Sequence, residues 1–207
     1  MILGSDKAKV GHGLPGETTG STIYPVEING KAYNLHDTVG LGEHSGGTAL
    51  NPKAVRNLYR LVTDLSDLGG VNLLVFVMKQ DRLTETIHKH YALFHGAFCD
   101  SKVPIVIVVT GCENVQPTMD TWWIDHERSL TQAGMSFDGY ACVCAFKEAK
   151  TTSGASYNED LVEDSVDVVR KLVVQNSRSK GWKKVWHSNS KSSTVQNSLK
   201  YLHLATD

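Results

Sequence analysis

The sequence predicts an α/β fold, a doubly wound and mostly parallel β-sheet with one antiparallel hairpin at its edge. Two continuous apolar runs, VNLLVFVM at 71–78 and VPIVIVV at 103–109, alternate with segments of helical periodicity. Such runs are typical of strands that are buried on both faces of a parallel sheet. An Asn-Gly pair between two short β-type segments near the N-terminus predicts the hairpin. A chain of 207 residues is long enough to bury the core of such a domain.

The hairpin is predicted from its turn and from one proline. Segments 22–28 and 31–37 flank Asn29-Gly30, and both of these positions tolerate the positive φ of a tight two-residue turn. Pro25 cannot donate a hydrogen bond to a neighbouring strand, which places the first strand of the hairpin at a sheet edge.

Four helices are predicted where apolar residues recur every three or four positions. Asn51-Pro52 begins the first helix, and Gly69-Gly70 ends it. The other helices are predicted at 82–99, 120–133 and 157–175. A third strand, 140–146, is predicted between the last two helices. This alternation of strands and helices favours a parallel sheet with helices on both of its faces.

In doubly wound sheets, ligands bind beyond the carboxyl ends of the strands. This rule selects the loops after Asp37, Val109 and Ala145. The first loop belongs to the glycine-rich segment NLHDTVGLGEHSGGT, 34–48. A carboxylate at a strand end is placed to hold Mg²⁺, which is usually shared between a carboxylate and substrate phosphates. Gly40 would let a backbone N–H approach a terminal phosphate closely.

The segment HDTVGLGE resembles the Asp-x-x-Gly switch motif of P-loop GTPases, and its DTxGL form is similar to the septin-like, immunity-associated and ribosome-assembly branches. The resemblance implies that Asp37 binds Mg²⁺ and that Gly40 senses the terminal phosphate of GTP. Upstream, PGETT is similar to a PGTT-type switch, in which Thr19, with Thr18 beside it, would reach Mg²⁺ and the same phosphate. An ordinary glycine-rich turn and a threonine-rich loop are the alternatives for these two segments.

Two later loops resemble the base-contacting loops of the same family. TGCE at 110–113 stands where the family usually has Asn-Lys-x-Asp. The resemblance implies that Glu113 accepts the two guanine hydrogens, with Thr110 in place of the Asn, while the loss of the Lys removes a packing surface for the base. AFK at 145–147 resembles the Ser-Ala-Lys loop, which implies a base contact at Ala145. A plain strand end is the alternative for this last segment.

Two features of the family are not found in the sequence. The phosphate cradle, Gly-x-x-x-x-Gly-Lys-Ser/Thr, does not occur. Since MILGSDKAKVG looks like the end of the helix that follows this cradle, the first strand and the cradle are expected to precede Met1. Leu41 stands where Ras-like members have a water-orienting Gln, so hydrolysis would need Glu43, His44, a partner or a dimer neighbour. No catalytic residue is assigned, and His36 is expected to be a packed core histidine.

Residues 1–175 are predicted to form the G-domain-like unit, and residues 176–207 a basic, Ser-rich tail. The tail has six Lys or Arg residues against one Asp, and we expect it to be poorly ordered and dispensable for folding. Trp182 and Trp186 flank two lysines and could touch a membrane, a nucleic acid or a protein partner. A solvated tail without a dedicated ligand is the alternative.

The four cysteines lie in or beside apolar runs without metal-type spacing, which predicts buried, reduced thiols and a cytoplasmic location. No apolar run is long enough for a transmembrane helix. The sequence thus predicts a GTP-binding domain that uses Mg²⁺ with GTP or GDP, hydrolyses GTP if a cradle is supplied upstream, and has a protein effector or a second copy as partner. A nucleotide-free remnant that serves as an interaction scaffold is the alternative.

Overall fold

The computed structural model describes residues 22–38, 52–81, 83–145 and 159–184. Their elements in chain order are β1 (Thr22–Ile28), β2 (Lys31–Asp37), α1 (Pro52–Leu68), β3 (Leu74–Lys79), α2 (Glu85–Tyr91), β4 (Ile105–Thr110), α3 (Thr121–Gln132), β5 (Gly139–Val143) and α4 (Glu159–Asn176). The helix predicted at 82–99 begins later, as α2, and continues as a π-helical segment, Ala92–Phe98. The α/β class is therefore confirmed, with element ends that differ from the predicted ones by a few residues.

Strands β3, β4 and β5 form a parallel sheet in that order. The central strand, β4, packs into a separate apolar cluster on each of its faces. One cluster contains Ile105, Ile107 and Val109, and the other contains Val106 and Val108. Helices α1, α2 and α3 contribute to the first cluster and α4 to the second. The prediction of a strand buried on both faces, with helices on both sides, is therefore confirmed.

Strands β1 and β2 form an antiparallel hairpin in which Thr22 pairs with Asp37. The turn residues Asn29 and Gly30 have φ values of 51° and 75°, as the Asn-Gly signal requires. The prediction placed this hairpin at the edge of the main sheet. In the described part of the chain it is instead a two-stranded sheet of its own, because no described strand joins β2 to β3.

The segment that follows α4 packs on the core. Val71 and Trp182 exchange two backbone hydrogen bonds of 2.8 Å, which makes an antiparallel bridge. The Arg178 N–H donates to the Asn72 carbonyl at 3.1 Å, and the Asn72 side chain donates back to the Arg178 carbonyl at 2.7 Å. The indole of Trp182 packs against the cluster that α1 helps to form. The chain is thus held against the start of β3 by contacts that are more than a hundred residues apart in sequence.

Lys184 anchors the end of this segment. Its Nζ donates to the carbonyl oxygens of Ala97 and Phe98 at 3.1 and 2.9 Å and forms an ion pair with Asp100 at 3.2 Å. Its backbone N–H donates to the Ser66 hydroxyl at 3.0 Å. Only 8% of the residue is exposed. The prediction of poor order is therefore wrong for residues 177–184, and the rest of the tail lies outside the described residues; that residues 177–184 are dispensable for folding stays a prediction.

The bridge at Trp182 requires glycine at position 70. Gly70 has a φ of +96°, and a Cβ built there would lie 2.5 Å from the Trp182 carbonyl oxygen and 2.6 Å from the Gly181 carbonyl carbon. We expect Gly70→Ala to destabilise the fold by about 1–2 kcal/mol from the left-handed backbone alone, and by more from the backbone contact. Differential scanning fluorimetry measures this as a lower thermal midpoint.

Gly96→Ala is the matched control for this substitution. Gly96 is helical, and nothing lies within 4 Å of a Cβ built there. The thermal midpoint of the Gly96→Ala variant should equal that of the parent chain or be slightly higher, since alanine has less conformational freedom to lose on folding than glycine has. A thermal midpoint of Gly70→Ala that is no lower than that of Gly96→Ala would refute the close approach of the backbone at Gly70 to the backbone at Trp182.

Candidate functional site

The loops after β3, β4 and β5 lie side by side at the carboxyl edge of the parallel sheet. This follows from the register, in which Lys79 pairs with Thr110 and Thr110 with Val143. The first residues beyond these pairs are Gln80, Gly111 of the TGCE loop and Cys144. Ligands of doubly wound sheets bind at this edge. Among the described residues, the candidate site therefore lies where the three parallel strands end.

Gln80 ties the first loop to the second. Its backbone N–H donates to the Thr110 carbonyl at 3.0 Å, and its side-chain amide donates to the Gly111 carbonyl. The indole N–H of Trp122 donates to the Gln80 carbonyl at 3.1 Å, and the Thr110 hydroxyl donates to the Met78 carbonyl at 3.3 Å. These four bonds fix the start of the TGCE loop. Gln80 was not predicted as a site residue, because nothing local in the sequence shows that its amide reaches the next loop.

Lys79 lies along Gly111. A Cβ built on Gly111, which has a φ of +82°, would lie 3.5 Å from two carbons of the Lys79 side chain. The Lys79 ammonium forms a 3.0 Å ion pair with Asp81, and both side chains are more than half exposed. An exposed pair of this kind is worth little, so the ammonium can exchange Asp81 for an anionic ligand at small cost. Lys79 was likewise not predicted as a site residue.

Glu113 presents an acceptor without a partner. The residue is partly buried, and its Oε2 atom is buried and makes no hydrogen bond among the described residues. Its position is fixed from behind, because the Cys112 N–H donates to the Val143 carbonyl at 3.2 Å and the Val115 N–H donates to the Cys112 carbonyl at 3.0 Å. Leaving a buried acceptor unbonded is unfavourable by about 1–3 kcal/mol. Such atoms are uncommon in folded proteins and call for a bound group or a functional reason.

The predicted site residues divide into three groups. Thr110, Glu113 and Ala145 lie together at the carboxyl edge of the parallel sheet, and Ala145 is exposed. Asp37 is exposed at the end of β2, on the separate hairpin. The remaining predicted positions lie outside the described residues: Thr18, Thr19, Gly40, Leu41, Glu43 and His44.

The predicted Mg²⁺ site is therefore only half described. Asp37 offers an exposed carboxylate at a strand end, which suits a hard cation. Its proposed partner, Thr19, is outside the described ranges. Within those ranges, no three His, Cys, Asp or Glu side chains cluster as a metal site would require. His36, beside Asp37 on the separate hairpin, is partly buried, and burial lowers its pKa.

The structure also describes the four cysteines and the length and polarity of the helices. All four thiols are free and buried, as the apolar sequence around them predicts. No helix within the described ranges is long and apolar enough to span a bilayer.

A scan against protein-family models and a search of curated proteins both found no match for this chain. The resemblance to P-loop GTPases therefore stays a prediction from the motifs.

Proposed function

We propose that this chain is a GTP-binding domain of the P-loop GTPase class, and that the loop after β4 reads the guanine base. The observation that carries the proposal is the unbonded, buried Oε2 of Glu113. It lies in TGCE, the segment that resembles the guanine-reading loop, and at the sheet edge where ligands bind in doubly wound folds. Motif and geometry thus support the same residue.

Guanine is the base that suits a carboxylate. Its N1–H and its amino group at C2 are neighbouring donors, and a carboxylate can accept from both at once. Hydrogen bonds to a charged group contribute about 1.5–3 kcal/mol. Adenine has a lone pair at N1 and no amino group at C2, so its edge would repel Glu113. The acceptor therefore favours guanine and also disfavours adenine.

Lys79 supplies what the TGCE loop lacks. The loop has glycine where the resembled motif has a lysine, whose stem would pack against the base. In the structure the methylene chain of Lys79 lies against Gly111 instead. A lysine stem can cover apolar surface while its ammonium stays in water. We propose that the Lys79 stem packs on one face of the guanine ring.

The phosphate side of the proposal rests on the sequence. Thr19 and Asp37 would hold Mg²⁺, with Thr18 beside them, and Gly40 would contact the terminal phosphate. Bound Mg²⁺ would neutralise charge on the phosphate oxygens. Hydrolysis has no assigned catalytic residue, and a protein effector or a second copy of the chain is the expected partner.

Glu113→Ala tests the base-reading role. Guanosine monophosphate, added to the ¹⁵N-labelled chain, should shift the amide signals of Cys112 and Glu113 in a saturable way. Removing the carboxylate should weaken this binding by about tenfold to a hundredfold, the equivalent of 1.5–3 kcal/mol. Glu127→Ala, which removes an exposed carboxylate from α3, is the control and should bind as the parent does. Equal affinity in the two variants would remove Glu113 from the proposal.

The alternative, a nucleotide-free interaction scaffold, is favoured by one observation. Val77 on β3 is 61% exposed although its strand belongs to a parallel sheet, whose faces are normally covered. This residue would suit a protein contact. The scaffold function predicts no amide shifts with any nucleotide, so the same titration separates the two functions.

A further inference from the structure

Cys112 and Cys142 form a buried pair of thiols between β4 and β5. The register sets Val109 opposite Cys142, and the chain turns back after β4, so that the Cys112 N–H donates to the Val143 carbonyl at 3.2 Å. The Cys112 sulfur lies 3.6 Å from the Val109 carbonyl oxygen. This fold-back places Cys112 beside β5, and both thiols belong to the same buried core cluster. The pair joins the loop that carries Glu113 to the neighbouring strand.

We propose that Cys112 and Cys142 are an oxidation site that closes to an intramolecular disulfide when the chain meets a peroxide. The two residues lie in one buried cluster, Cys142 on β5 and Cys112 on the loop that turns back beside it. A disulfide holds its sulfurs about 2.05 Å apart, closer than two unbonded thiols. Closing it would draw Cys112 towards β5. The proposal does not depend on nucleotide binding.

The two thiols are unequal in a way that assigns their roles. The hydrogen bond from Cys142 lowers the pKa of Cys112, while the same bond and burial raise the pKa of Cys142 well above its usual range. Cys99 shows the contrast, because burial raises its pKa to about 12. Cys112 lies on a loop, which opens more readily than the strand that carries Cys142, so Cys112 should react first and Cys142 should resolve the product. Cys99 should remain reduced.

The chemistry proceeds in two balanced steps. The Cys112 thiolate attacks one oxygen of hydrogen peroxide, the O–O bond breaks, and the departing hydroxide takes up a proton as water. The product is a sulfenic acid on Cys112. The Cys142 thiol then attacks that sulfur, the S–S bond forms, the S–O bond breaks, and a second water leaves with the Cys142 proton. Two thiols are oxidised by two electrons, and one peroxide is reduced to two waters.

Burial sets the rate of this reaction. Cys112 is 0% exposed and Cys142 is 4% exposed, so peroxide must enter while the loop is locally open. Loops open at a much lower cost than the core of a sheet. We therefore expect oxidation to be slow at low peroxide and complete on longer exposure. Closing the disulfide would also move Glu113, because this residue follows Cys112 directly in the chain.

Peptide mapping of the folded chain tests the proposal without any variant. The protein is exposed to millimolar hydrogen peroxide, which catalase then removes; the chain is unfolded in denaturant that contains N-ethylmaleimide and digested with trypsin. Two of the four thiols should escape alkylation, and the peptide at 103–128 should be joined to the peptide at 129–147. Dithiothreitol should separate these two peptides and restore both thiols. A folded chain that stays fully reduced, or that is oxidised only beyond sulfenic acid at Cys112, would overturn the proposal.

Cys144 provides the matched control, since it lies on the same tryptic peptide as Cys142. Cys144→Ala should form the cross-link as the parent does, and Cys142→Ala should lose it. Circular dichroism shows whether each variant folds, and the map of the parent chain decides the matter if one does not. A cross-link that survives Cys142→Ala, or one that contains Cys99, would contradict the assignment.

Discussion

Ending the chain at Asn176 is expected to lower its thermal midpoint by roughly 6–12 °C. The truncation removes Trp182 from the core cluster and takes away the bridge to Val71. It also removes Lys184, which donates three bonds to the segment after α2. Removing a tryptophan from a core costs about 3–5 kcal/mol. We use the lower figure, because Trp182 is only partly buried and Asp100, 45% exposed, can be solvated once Lys184 is gone.

The control for this truncation is a chain that ends at Val185. It keeps Trp182 and Lys184 with all their described contacts and discards only the residues beyond them. Its midpoint should match that of the full chain. The chain that ends at Asn176 could instead melt at the same temperature as the full chain and the chain that ends at Val185. In that case the packing of residues 177–184 would contribute nothing to stability, and the tail would be dispensable for folding.

The 207-residue chain is expected to bind GTP far more weakly than a G domain that has a phosphate cradle would. The sequence has no phosphate cradle, which would supply several backbone N–H donors and a lysine. Losing only three hydrogen bonds to a charged group costs roughly 5–9 kcal/mol, or about three to six orders of magnitude in affinity. The proposed Mg²⁺ ligands cannot compensate, because Mg²⁺ is held jointly by protein and phosphates.

A fluorescent GTP analogue titrated against the purified chain measures this affinity. We expect little or no change in anisotropy at micromolar protein, with or without Mg²⁺. Submicromolar, Mg²⁺-dependent binding would show that another loop holds the phosphates. The base-reading proposal would survive that outcome, since it concerns a different part of the nucleotide.

The elements that sequence predicts well are those with local causes. The hairpin follows from Asn29-Gly30, because only a few residue pairs accept its turn. The buried strand β4 follows from an unbroken apolar run, and Gly69-Gly70 ends α1 as predicted. In each of these cases the signal and the structure lie within a few residues of one another.

The features that escaped prediction depend on partners far along the chain. Lys184 reads as one more charge in a basic tail, yet its partners Ala97 and Phe98 are 87 and 86 residues away. Gln80 and Lys79 acquire a role only because β3 and β4 end at the same level. No local pattern in the sequence encodes these contacts, since they arise from the packing of whole elements.

The base preference of the loop after β4 is the most direct test of guanine reading by Glu113. The ¹⁵N-labelled chain is titrated with guanosine monophosphate and, separately, with adenosine monophosphate, and its amide signals are followed. We expect saturable shifts at Cys112 and Glu113 with the guanine nucleotide, and an affinity for the adenine nucleotide at least about tenfold lower, the equivalent of 1.4 kcal/mol. Equal shifts with both nucleotides, or shifts confined to residues away from this loop, would contradict guanine reading by Glu113.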